Sequence, residues 1–195
     1  MKYDLPDDQG EILPNILNLK TSDEISLAEF EGFLKAEIIL TEQLTLKTKF
    51  SLKYILQIHK LSLEHLYSFA GKLREVNISK GGFPFPAAKY LAQSMLSFEN
   101  ELLSKLPSKH TSKEDLIKSI AEIHGELLFI HPFREGNGRT ARILANLMAR
   151  KQGYDSLLFE KINKTNFSIY VTAIQKSAEK DYQPMIDFIT SIFPD

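Results

Sequence analysis

One stretch limits what this chain of 195 residues can fold into: His131-Pro132-Phe133-Arg134-Glu135-Gly136-Asn137-Gly138-Arg139-Thr140-Ala141-Arg142. The apolar run Leu127-Leu128-Phe129-Ile130 leads in, and Ile143-Leu144-Ala145-Asn146-Leu147-Met148 leads out at helical spacing. Pro132 biases the residue before it away from helical geometry, so the incoming helix should end at His131. Glycine tolerates positive φ and close backbone approach, so Gly136 and Gly138 allow a tight turn before the next helix. Two helices joined through a short loop are therefore fixed early. That loop also carries a titratable base, a carboxylate and, with the first turn after it, two arginines. A plain corner between helices needs none of these.

The residue types suggest chemistry. Gly136-Asn137-Gly138 can present successive backbone N–H groups, and the start of the following helix adds unpaired donors and partial positive charge, which makes an anion site. Arg139 and Arg142 are three apart and share a helix face, an arrangement suited to a polyphosphate. Glu135 would repel phosphate unless a cation lies between them, and Mg²⁺ is commonly held by one or two carboxylates plus phosphates and water. His131, whose unperturbed pKa is near neutrality, is the candidate general base. No Gly-x-x-x-x-Gly-Lys-Ser/Thr phosphate loop occurs.

The rest of the chain sets bounds. Net charge is −1, which gives no electrostatic case for nucleic acid or an anionic membrane. No cysteine is present, so disulfides and thiolate metal sites are excluded. No apolar signal-peptide core or membrane-spanning run is found, and a cytoplasmic protein is expected. Residues 1 to about 20 read as an extended arm. Thr21-Ser22-Asp23-Glu24 and Thr111-Ser112-Lys113-Glu114 have capping-box spacing and should each start a helix. Further helices are expected from Ser51, from Ala87 to Leu106, from about Arg139 to Gly153 and from Thr165 to about Ala178, with a last one capped by Asp181-Tyr182-Gln183-Pro184 and ending near Phe193. Arg74 to Phe85 places two glycines between β-compatible segments, which is hairpin chemistry, and Pro84 confines it to an edge. An edge strand can bind an extended segment of another protein. His59 and His65 read as packed or surface residues.

The first helix contains a misfit. Leu27, Phe30, Leu34 and Ile38 share one face, expected to pack on the body, and Glu31 falls within that stripe at about 100° per residue. A carboxylate there needs a donor or a cation. Gly32 follows it, and a mid-helix glycine suggests close approach of another backbone.

His131 to Arg142 resembles the Fic-domain signature His-x-Phe-x-Asp/Glu-Gly-Asn-Gly-Arg-x-x-Arg at every fixed position. Tyr67-x-Phe69-Ala70-Gly71-x-x-Arg74 and Asn77-Ile78-Ser79-Lys80-Gly81-Gly82-Phe83 are similar to the approach and flap of bacterial Fic proteins. The resemblance covers residues 50 to 193. It implies a mostly α-helical Fic fold, a helical bundle with a small β-hairpin flap over the active site, with residues 1–48 as an N-terminal arm and helix and 49–195 as the Fic domain. It also implies a protein adenylyltransferase that moves AMP from ATP to a Ser, Thr or Tyr hydroxyl of a target protein and releases pyrophosphate. His131 is then the base, and Glu135 the holder of Mg²⁺ (or Mn²⁺). Gly136, Asn137 and Gly138 form the phosphate cradle, and Arg139 and Arg142 the polyphosphate contacts. Ser79, Lys80, Gly81, Gly82 and Phe83 form the target-aligning flap.

Relatives are often inhibited by a helix carrying Ser/Thr-x-x-x-Glu-Gly/Asn, in the same chain or on a small antitoxin. Glu31-Gly32 resembles the end of that motif, although Leu27 stands at its Ser/Thr position. The expectation is a Glu31–Arg142 pair that blocks the γ-phosphate. A target protein, a small antitoxin and further copies of the chain are the candidate partners; nucleic acid and membrane are not. Competing readings are a phosphotransferase (that branch carries lysine at the place of Gly138), a phosphocholine transferase, a deAMPylase, and a catalytically silent toxin–antitoxin module.

Overall fold

The computed structural model describes residues 12–80, 82–163 and 165–194. In chain order these form α1 (Ser22–Glu42), α2 (Leu52–Leu63), the two-residue strands β1 (Ser79–Lys80) and β2 (Phe83–Pro84), α3 (Leu91–Glu101), α4 (Lys113–Ile130), α5 (Asn137–Lys151), α6 (Phe167–Ser177) and α7 (Gln183–Ile192). The fold is mostly α with one small hairpin, as expected. Much of the expected N-terminal arm, residues 1–11, and flap residue Gly81 lie outside the described residues.

The two helices around the organising loop form the centre. α4 packs on α5, α6 and α7, while α5 also meets α1 and α2. Leu116, Ile120, Leu127, Leu144 and Leu147 are nearly or fully buried there. At roughly 1.5–3 kcal/mol per large apolar side chain, this seam holds the loop's two stems in place.

Helix starts follow local chemistry. Thr21 caps α1, accepting from Glu24 N at 3.3 Å, while the Glu24 carboxylate accepts from Thr21 N at 3.0 Å. The second box is displaced. Ser112, not Thr111, caps α4, accepting from Asp115 N at 3.1 Å, and the Thr111 hydroxyl donates instead to the Asp115 carboxylate. The expected helix over 87–106 is shorter, with 3₁₀ turns at Ala88–Tyr90 and Leu103–Lys105 on either side of α3.

The face of α1 is the main correction. Leu27, Phe30, Leu34 and Ile38 are 59%, 61%, 48% and 51% exposed, so the predicted stripe faces outward. The buried face runs through Ile25, Ala28, Glu29, Gly32, Phe33, Ala36 and Leu40. α1 has two apolar faces, and close approach selects the one with small residues. A Cβ on Gly32 would lie 2.0 Å from the Ser62 carbonyl oxygen of α2, so glycine is required for this contact.

Candidate active site

α4 ends at Ile130, where Pro132 is expected to stop it, and His131 takes the left-handed conformation at φ 51°. Such a backbone costs roughly 1–3 kcal/mol in a residue other than glycine and requires outside support. Arg74 supplies it. Its guanidinium donates to the carbonyls of His131 at 2.8 Å, Val76 at 2.7 Å and Pro86 at 2.6 Å, and its backbone N–H donates to Pro132 O at 2.8 Å. One side chain thus ties both ends of the flap to the loop.

His131 Nδ1 lies 2.8 Å from Leu128 O. A carbonyl only accepts, so Nδ1 carries the proton and Nε2 is the basic nitrogen. Phe85 stacks on the imidazole at 3.9 Å between centroids. Burial, helped by the nearby charges of Lys80 and Arg74, pushes the His131 pKa down to about 3, so the ring is neutral at pH 7. The flap pairs Ser79 with Pro84 and Lys80 with Phe83 in a two-stranded antiparallel hairpin.

The loop is braced internally. Phe133 is buried and stacks on His59 at 3.8 Å. His59 Nδ1 accepts from Gly71 N at 2.8 Å, so its Nε2 donates to Glu135 O at 3.0 Å. Burial holds the His59 pKa down at about 4, in keeping with this neutral tautomer. The Asn137 amide bonds both the N–H (2.8 Å) and C=O (2.7 Å) of Phe133. Its side chain is committed to the loop, which leaves its backbone N–H for the cradle. Gly136, at φ 79°, caps α5, and a Cβ there would lie 2.9 Å from Phe33 of α1. A Cβ on Gly138 would meet nothing within 4 Å. The backbone N–H groups of Asn137, Gly138 and Arg139 have no hydrogen-bond partner among the described residues. Donors and open space therefore coincide at the α5 N-terminus, the geometry of an anion cradle.

Glu135 is buried, and its carboxylate accepts from Gly136 N at 2.8 Å and Arg139 at 3.3 Å. The two arginines diverge. Arg139 donates to Glu29 of α1 at 2.7 Å and lies over the Phe33 ring at 4.5 Å. Glu29 is 1% exposed, and its other oxygen accepts from the Tyr67 hydroxyl at 2.7 Å. Arg142 lies over Phe159 at 5.5 Å and beside the Tyr170 hydroxyl, which is 2.8 Å from His124 Nε2, and its buried Nε has no hydrogen-bond partner among the described residues. Glu31 is exposed on the far side of α1. The expected Glu31–Arg142 pair is therefore absent, because its two members face different parts of the molecule. The α1 carboxylate that reaches a motif arginine is Glu29, and it reaches the first one.

Glu29, Tyr67, Arg74, Phe85, His124 and Tyr170 all bear on the site; of these, the sequence marks Tyr67 and Arg74 only as part of the approach motif and Phe85 only as part of the hairpin, and it gives no sign of the contacts that Glu29, His124 and Tyr170 make. The burial of Glu29 had a readable signal: it lies on the Ala28-Gly32-Ala36 small-residue face along which another helix can approach closely.

Residues 49–149 match the Fic/DOC family. The chain belongs to that family. It is similar to a protein adenylyltransferase Fic of Drosophila virilis, 31% identical over 162 residues, covering 83% of this chain and 32% of the relative. The corresponding Aedes aegypti protein is 34% identical over 140 residues, covering 71% and 27%. The chain thus spans about a third of the length of these curated relatives. Among solved structures, the N-terminal Fic domain of a Bartonella effector protein (Bartonella sp. AR 15-3) superposes with a TM-score of 0.79 at 20% identity, covering 96% of this chain and 89% of that one. BepC of Bartonella tribocorum, solved with bound AMPPNP, gives 0.76 at 20% identity, covering 96% and 95%. These likenesses establish the Fic fold. No helix among the described residues is long and apolar enough to cross a membrane.

Proposed function

We propose that this Fic-family protein is a protein adenylyltransferase that moves AMP from ATP to a Ser, Thr or Tyr hydroxyl of a target protein. The observation that carries the reading is the basic Nε2 of a neutral His131 beside a helix start with three unpaired N–H groups and an open Gly138. The acceptor hydroxyl oxygen attacks the α-phosphorus and its proton passes to His131 Nε2. The bond from the α-phosphorus to the bridging oxygen breaks, and pyrophosphate leaves. The N–H groups of Asn137, Gly138 and Arg139 and the two guanidinium groups take up the phosphate charge, which is where most catalytic stabilisation of phosphoryl-type transfer arises. The hairpin edge of Ser79–Lys80 and Phe83–Pro84 would hold the target as an added strand.

Glu135 suits a hard cation. It is an oxygen donor at the mouth of the cradle, and no group of three or more His, Asp or Glu side chains able to hold a metal occurs among the described residues. The ion would take its other ligands from phosphates and water, as Mg²⁺ does. When bound, Mg²⁺ supplies charge neutralisation between Glu135 and the polyphosphate. A cytoplasmic setting, with ATP and Mg²⁺ at hand, belongs to this reading.

The resting site is restrained. Arg139 is held by two carboxylates, so polyphosphate must displace Glu29 before this arginine can bind it. Inhibition in cis thus falls to Glu29 in place of Glu31, and this reading needs no separate antitoxin to engage Arg139. The test is pyrophosphate release coupled to AMP on a target, read by mass spectrometry. Glu29→Gln should increase both, and His131→Ala should remove both. Unchanged AMP transfer by His131→Ala would refute the base assignment.

A further inference from the structure

The outer face of α1 remains unexplained by the active site. Leu27, Phe30, Leu34 and Ile38 are each about half exposed or more (48–61%), with Glu31 and Lys35 exposed among them. The side chains of Glu31 and Lys35 make no ion pair or hydrogen bond among the described residues. A shallow groove of ≈ 340 Å³ runs between Glu31, Leu34, Lys35, Ile38 and Ile39. Single exposed apolar residues are ordinary, but four in register along three turns of one helix form a contiguous patch of the kind that marks an interaction surface.

We infer that this face is a two-fold interface between two copies of the chain, formed by antiparallel α1 helices with Glu31 of each copy paired to Lys35 of the other. A two-fold interface must be self-complementary, and this face is. With the axis at the Gly32–Phe33 peptide, mirror-related positions meet: Leu27 with Ile38, Phe30 with Lys35, Glu31 with Leu34. All six exposed positions are used and none is left over. Glu31 then lies against Leu34 with Lys35 of the other copy one residue on, so two ion pairs flank the axis. A parallel pair would set Glu31 against Glu31 and Lys35 against Lys35. The carboxylate in the apolar stripe thus acquires a role in fixing orientation and register, the best-attested use of a charge at such a position. A net charge of −1 puts no long-range repulsion between copies. The contact is one helix face per copy, small against the roughly 800 Å² per partner of a standard interface, so the dimer forms at micromolar concentration.

Sedimentation equilibrium from low to high micromolar protein tests this, on the full chain and on Glu31→Lys, Lys35→Glu, the double exchange and Leu34→Asp. Far-UV circular dichroism and thermal melts monitor the fold, and the substituted side chains are exposed and outside the catalytic site. The wild type should self-associate. Each single reversal should weaken the dimer about tenfold or more, because like charges then meet twice across the axis. The double exchange should return it to within a few-fold of wild type, and Leu34→Asp should be monomeric. A wild type that stays monomeric throughout overturns the proposal and assigns the face to a different partner. A dimer indifferent to the single reversals, or one the double exchange fails to restore, overturns the antiparallel register.

Discussion

Arg139 and Arg142 stand three residues apart on α5 yet occupy opposite surroundings. Arg139 leans toward α1 and is neutralised by Glu29 and Glu135. Arg142 leans toward α6 and lies among neutral groups, over the Phe159 ring and beside the Tyr170 hydroxyl. A guanidinium between carboxylates is spent until one of them leaves. A guanidinium beside an aromatic face and a hydroxyl keeps its full charge for a ligand. On the proposed function, the same helix would present one arginine that is ready for polyphosphate and one that must first be released, and α1 would control the site.

Stability should separate the two most strongly. Removing Arg139 leaves the buried Glu29 carboxylate without its guanidinium partner, and Arg139→Ala should cost about 3–5 kcal/mol in urea unfolding. Arg142→Ala loses one cation–π contact and the packing of the arginine stem and should cost about 1–2 kcal/mol. Adding Glu29→Gln should recover most of the Arg139→Ala loss and none of the Arg142→Ala loss. Equal losses at both positions would break the comparison.

Nucleotide affinity gives the next effect. Glu29→Gln should tighten ATP binding about tenfold in calorimetry by freeing Arg139, and that gain should vanish when Arg139 is also replaced. Gain persisting in the double variant would place the restraint elsewhere.

Acid should act on the Arg142 side. Burial, then the Arg142 charge, holds the His124 pKa down at about 3 in the folded protein. The unfolded chain binds that proton below pH 6.5 and the folded one does not, so stability present above pH 6.5 is lost as pH falls toward 3. His124, His59 and His131 each contribute up to about 1.4 kcal/mol per pH unit in that direction. His124→Gln should flatten the stability–pH slope by that single share, and an unchanged slope would show that His124 titrates normally. The smallest effect is Tyr170→Phe, which removes the hydroxyl beside Arg142 and its hydrogen bond with His124 Nε2, worth about 1 kcal/mol. It should weaken ATP binding several-fold while leaving AMP binding unchanged.

The loop from His131 to Arg142 was legible because its chemistry is local: a proline ends one helix, glycines open a cradle, and the next helix starts at once. The hairpin was legible for the same reason, from Gly81-Gly82 and Pro84. What the sequence concealed depends on which elements face each other. α1 is apolar on two sides, so periodicity alone did not tell the Leu27–Ile38 stripe from the Ile25–Leu40 face. The small residues Ala28, Gly32 and Ala36 decided it by admitting α2. Glu31 therefore drew attention that belonged to Glu29. Arg74 and Tyr170 act on the site from far along the chain, and no spacing rule links them to His131 or Arg142.

The most direct test uses ATP labelled at either the α- or the γ-phosphate, incubated with Mg²⁺, a cell lysate and the wild type, Glu29→Gln or His131→Ala protein. The account predicts α-label on target protein, more with Glu29→Gln than with wild type and none with His131→Ala. Transfer of the γ-label, or equal α-labelling by wild type and Glu29→Gln at limiting ATP, would contradict it.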